Sequence, residues 1–143
     1  MIKNVELLYS TSSLLKSKFN YKLSLKQKAE VAVPTFFVSV TPLTTNSYLR
    51  YNEKLTNIVI TFTDEVVTQE KLLGIQNDLD DLFDMYLKVG KRKIVFDKKK
   101  FNLADDFLIL TLTLNYLDNK LSVPDEDKYT QLMGELIQKE GMI

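Results

Sequence analysis

From Phe107 to Tyr116 the chain alternates. Leu108, Leu110, Leu112, Leu114 and Tyr116 fall on one parity, with Ile109, Thr111, Thr113 and Asn115 on the other. A period of two suits a strand buried on one face and cannot line one side of a helix, whose period is 3.6. The alternation predicts a central strand, well buried on one face, forming a hairpin with Arg92–Asp97 through a polar connection at Lys98-Lys99-Lys100. Thr56–Thr63 repeats the pattern, with Ile58, Ile60 and Phe62 against Asn57, Val59 and Thr61.

The remaining segments fill in around these strands. Ile2, Val5, Leu8, Ser12, Leu15 and Phe19 recur at three and four residues, which predicts an amphipathic helix over Ile2–Phe19. Tyr21–Leu25 reads as a short strand. Val31–Val40 reads as another, with Pro34 at its start or on an edge because proline cannot donate to a ladder. Leu43–Ser47, after Pro42, reads as turn. Tyr48–Tyr51 and Thr56–Thr63 then make one long bent strand, or two with a break at Asn52–Lys54. Leu72, Ile75, Leu79, Leu82, Phe83 and Tyr86 predict a helix ending near Gly90, where glycine takes a left-handed cap. After Pro124, the stripe Tyr129, Leu132, Met133, Leu136 and Ile137 predicts a last helix over Asp125–Glu140.

Strands in runs rather than alternating singly with helices imply an α+β fold. The expectation is a mainly antiparallel sheet of about five strands with an N-terminal, a central and a C-terminal helix packed on it. At 143 residues, 45% hydrophobic and 27% charged, the chain suits one ordered domain over 1–143. No stretch approaches the ~20 apolar residues of a membrane span, and charges interrupt the N-terminus where a signal peptide would be apolar. A soluble protein without a membrane partner is expected.

There is no His, Cys or Trp. Imidazole bases, thiolate nucleophiles, disulfides and structural zinc are therefore excluded, leaving carboxylate chemistry with a hard metal, lysine chemistry, or none. Asp78, Asp80, Asp81 and Asp84 fall opposite the apolar stripe of their helix, where a solvated face is the simpler reading, and they lack a calcium-loop pattern. Asp97-Lys98-Lys99 reads as D-x-K, the tail of a magnesium-dependent nuclease motif, but no acidic residue precedes it within Arg92–Phe96. Ser10–Ser13 have no base to activate them, and four isolated glycines build no phosphate loop. No catalytic residue, metal site or cofactor is expected.

Lysine plus arginine equals aspartate plus glutamate at 19 each, so no basic surplus favours nucleic acid. The charges are segregated, however: Asp64–Asp84 is nearly all acidic and Lys88–Lys100 largely basic. Two faces of opposite sign would suit head-to-tail association of copies, and two unrelated solvated faces would look the same in sequence. A nucleic-acid platform on Lys91–Lys100 with Phe96 and Phe101 is less economical than core use of Phe96, which shares a face with Ile94. Sequence-specific nucleic-acid binding is not expected.

Across Val33–Leu117 the order of elements is distinctive. Val33-Pro34-Thr35-Phe36-Phe37-Val38 is followed by Tyr48-Leu49-Arg50-Tyr51, the apolar Ile58–Phe62, a helix at Leu72–Leu87 and a closing pair at Lys93–Phe96 and Leu108–Tyr116. This block resembles the tail terminator (tail completion) family of tailed phages and phage-like particles of Gram-positive bacteria. The resemblance implies a structural virion protein, not an enzyme: a homo-hexameric ring that caps the tail tube, ends its polymerisation and joins it to the head-side connector or collar. The implied partners are the ring itself, the tail tube protein, the connector or collar protein and a sheath protein. The implied location is the neck end of the virion tail, with assembly in the host cytoplasm. Leu43–Lys54 and Lys98–Asp106 are the contact loops on this reading, with Tyr48, Arg50, Tyr51, Lys98, Lys99, Lys100, Asp105 and Asp106 at interfaces. Arg50 would be the anchor because its planar fork makes the better interface cation, while an ordinary edge-strand arginine is equally consistent with its position. Another neck or head–tail joining protein, a magnesium-dependent nuclease using Asp97 and Lys99, and a small nucleic-acid-binding module remain as alternatives.

Overall fold

The computed structural model describes residues 2–25, 34–104 and 107–119. Along the chain the elements are α1 (Asn4–Lys18), β1 (Lys22–Ser24), β2 (Thr35–Ser47), β3 (Tyr51–Thr63), α2 (Gln69–Leu82), β4 (Tyr86–Val89), β5 (Arg92–Leu103) and β6 (Phe107–Asn119). The strands form one six-stranded sheet in the order β1-β2-β3-β6-β5-β4. β1 runs parallel to β2 and every other pairing is antiparallel.

The sheet is therefore mixed and six-stranded, and two helices lie among the described residues, which corrects the expected five-stranded, mainly antiparallel sheet with three helices. The helix expected over Asp125–Glu140 falls outside the described residues. The sixth strand comes from the tail of the central helix. Phe83 and Tyr86 continue the helical spacing in sequence, but α2 stops at Leu82 and the chain turns back into β4, whose Leu87 and Val89 are buried while Tyr86 and Lys88 are exposed. Gly90, with φ at 61°, makes the first position of a two-residue turn between Val89 and Arg92, the II′ geometry that matches strand twist. It is a hairpin residue, not a helix cap.

The first hairpin is longer than the sequence suggests. β2 continues through Pro42 with a bulge between Pro42 and Thr44, so Leu43–Ser47 is strand, the turn is at Tyr48–Arg50, and β3 runs unbroken through Asn52–Lys54. Proline is tolerated because of where its nitrogen points. Lys22 N–H donates to Pro34 C=O, so ahead of the bulge the even-numbered residues of β2 aim their backbone groups at the outer edge, and Pro42 omits an N–H that no strand would have received. β5 likewise runs through Lys98-Lys99-Lys100 after a bulge at Asp97.

One face of the sheet holds the core. Phe36 and Val38 of β2, Ile58, Ile60 and Phe62 of β3, and Leu108–Leu114 at even positions of β6 are buried there. Leu7 and Leu15 of α1 and Leu72, Ile75 and Leu79 of α2 cover them, whereas Val5, on the expected stripe of α1, is exposed. Phe36 packs between Phe19 and Phe62, with tilted rings whose centroids lie 4.9 and 5.1 Å away. α1 touches both β2 and β4, although three strands separate these two in the sheet. Strands spaced ~4.8 Å apart would set them ~19 Å apart if flat, wider than one ~10 Å helix, so the sheet curls round α1.

Candidate assembly surfaces

Beyond Val40 strand β2 runs clear of the core, while Thr56 of β3 and Tyr116 and Asp118 of β6 stay buried beside Ile2. Thr41–Ser47 are all exposed, and the pairing continues to Ser47↔Asn52 on one side and Tyr51↔Asn119 on the other. The result is a three-stranded tongue of β2, β3 and β6. At its tip Tyr48 N–H donates to Tyr51 C=O at 2.9 Å, which closes the turn and stacks the two rings at 4.8 Å. Tyr48, Arg50 and Tyr51 are exposed there together, and Leu43 is exposed at the bulge further back along β2.

A buried carboxylate pins the tongue just behind its tip, where Asp118 pairs with Asn52. Asp118, 2% exposed, accepts from Ile2 N–H at 2.9 Å and from Lys54 Nζ and Arg92 Nη1, each at 3.3 Å. A second Arg92 nitrogen donates to Leu117 C=O, and the guanidinium lies 5.6 Å from the centre of the Tyr116 ring. Three strands and the segment before α1 thus meet at one side chain. Burial, with the negative charge of Asp118 next to it, pushes the Tyr116 phenol above its usual pKa.

The face turned away from the helices carries little charge. β2 has no ionisable residue, and the outward positions of β3 and β6 are Tyr51, Glu53, Leu55, Asn57, Val59, Thr61, Thr63, Phe107, Ile109, Thr111, Thr113, Asn115, Leu117 and Asn119, with Glu53 the one carboxylate among them. Asn57 and Thr113 bond across it at 2.9 Å. At one end a notch of about 330 Å³ lies among Phe37, Val59, Phe107, Ile109 and Leu25.

Lys98 and Lys100 point to this outer face from β5, and both are exposed. Lys99 turns the other way. Its ammonium donates to the carbonyls of Phe83 at 2.9 Å, Asp84 at 3.1 Å and Asp80 at 3.4 Å, and pairs with the Asp80 carboxylate at 2.7 Å. α2 has no basic residue in its last turn, so Lys99 supplies the cation that its C-terminal carbonyls lack. Lys99 thus ties the acidic helix to the basic strand, while Lys98 and Lys100 stand on the sheet face away from α2. A D-x-K reading of Asp97 and Lys99 would require this lysine to leave the helix end. Among the described residues no three carboxylates are grouped to hold a metal. Phe96 meets Phe83 edge-on at 6.2 Å and Phe101 packs against the core, so neither ring is a free stacking platform. Asp105 and Asp106 lie outside the described residues. No described helix is long and apolar enough to cross a membrane.

A family model described as "Phage tail terminator protein" matches residues 6–128, most of the chain. The chain belongs to the phage tail terminator family. Its role is structural, in completion of the phage tail, and the family is not an enzymatic one. No curated protein matches the chain. Six solved chains do; one of them is 12% identical over 85% of this terminator and 94% of its own length, with a TM-score of 0.44.

Two features of this terminator escape the sequence. The Asp118 junction joins residues 116, 64 and 26 positions apart, and Lys99 reaches α2 across 15 to 19 positions. The isolated acidic residue in the otherwise uncharged run Phe107–Tyr116 onward to Asn119 was the one available signal for Asp118.

Proposed function

We propose that the terminator forms a homo-hexameric ring that caps the tail tube, stops its polymerisation and joins the tail to the head-side connector or collar. The ring assembles in the host cytoplasm and remains at the neck end of the virion, where a sheath protein is a further neighbour. The tongue carries this reading. A hairpin pinned behind its turn by Asp118 and tipped by Tyr48, Arg50 and Tyr51 has the aromatic-plus-arginine chemistry of binding hot spots. Lys98 and Lys100 are the second contact region, and Asp105 and Asp106 stay within it as expected from the family. Lys99 contributes through α2 instead.

Native mass spectrometry at micromolar concentration tests the ring, for which six copies are expected and a strict monomer counts against it. Tyr48→Ser with Tyr51→Ser tests the tongue. The expected outcome is an unchanged melting temperature and oligomeric mass, with loss of binding to tube ends by electron microscopy. Undiminished binding to tube ends overturns the role given to the tip. Binding of the unaltered protein to isolated connectors but never to tube ends would favour the neck-protein alternative.

A further inference from the structure

Both long outer edges of the sheet are open among the described residues. β1 covers β2 only at Thr35–Phe37, so Val38 and Val40 present N–H and C=O groups outward with no partner strand. β4 covers β5 only at Arg92–Val95, and Lys98–Leu103 pair with β6 alone. Uncovered edges are templates for another strand.

We propose that copies of this chain join edge to edge, the β2 edge of one copy adding to the β5 edge of the next, so that the sheet continues through the contact. This rests on the ring reading and names its lateral surface. Charge decides among the three pairings available. β5 against β5 would bring Lys98, Lys99 and Lys100 against their own copies, and like charges opposite each other destabilise a sheet. β2 against β2 is neutral, but it would leave both lysine edges open and would pair only hydroxyls and amides. β2 against β5 sets two exposed ammonium groups, Lys98 and Lys100, beside an edge strand carrying oxygen acceptors on Ser39, Thr41, Thr44 and Asn46 and no charge. The lysines also keep the β5 edge from pairing with itself in the free subunit. Because two different edges meet, the contact is heterologous and propagates to a closed ring or a filament, where β2–β2 would stop at a dimer.

The chain has no cysteine, so introduced thiols report the contact directly. Ser39→Cys or Thr41→Cys in one preparation is mixed with Lys98→Cys or Lys100→Cys in another and oxidised, the four combinations covering the register. The expected result is a mixed disulfide dimer in at least one combination, and a ladder up to the full ring when both thiols are in one chain. Cross-links only between two Thr41→Cys copies overturn the proposal. So does a six-copy mass with no mixed cross-link, which leaves the ring itself standing. A monomer at micromolar concentration sinks the ring and this contact together. Val40→Pro gives a second readout, because it deletes one outward N–H and spares the β2–β3 ladder. It should keep the far-ultraviolet spectrum and a cooperative melt while losing at least tenfold in assembly, and assembly at the unaltered concentration would overturn the proposal.

Discussion

Lys99 shows what one side chain decides at the residue scale. Three carbonyls and a carboxylate at the end of α2 depend on its ammonium. Lys99→Met keeps the stem and removes the donors, and should cost about 1–3 kcal/mol by urea denaturation. Asp118→Ala should cost more, about 3–5 kcal/mol, since Lys54 loses its buried partner and Ile2 N–H its acceptor. Tyr116 gives an alkaline signature. Its pKa is raised on folding, so its contribution is fully present below the unfolded value of 10.0 and fades as the pH climbs through the higher folded value. Denaturation midpoints should therefore fall above about pH 10, and Tyr116→Phe should remove that part of the fall. The phenol makes no hydrogen bond among the described residues, so the same change should leave neutral-pH stability within about 0.5 kcal/mol. None of these roles was visible in the sequence, because each joins residues that only the sheet brings together.

Elements were legible where their period was long and unbroken. Leu72, Ile75 and Leu79 mark the buried face of α2, and the alternation from Leu108 to Tyr116 marks the core face of β6. Boundaries failed where local signals compete. Tyr86 sits at helical spacing from Phe83 yet belongs to a four-residue strand, too short for its alternation to outweigh the stripe before it. Pro42 suggests a turn, but a proline whose missing N–H faces an open edge costs the ladder nothing. The parallel pairing of β1 with β2 leaves no mark in either strand's pattern. Gly90 adds a test at this scale. Nothing lies within 4 Å of a Cβ placed there, so Gly90→Ala should cost only the backbone penalty of a positive φ, about 1 kcal/mol, read from the thermal melt. A larger loss would mean that the β4–β5 turn tolerates no adjustment.

On the scale of the whole molecule, the curl of the sheet round α1 has a consequence for counting. Identical parts close into a ring only if the bend carried by each part divides the circle, about 60° apiece for six. With copies joined through β2 and β5, that bend is set inside each subunit, by how closely one helix draws β2 and β4 together. Leu7→Ala or Leu15→Ala should cost about 2–5 kcal/mol as core truncations. Each should also broaden the spread of copy numbers seen by native mass spectrometry, as slack in the interior opens the angle. The gauge that fixes the size of the ring would then be a buried helix that no neighbouring copy needs to touch.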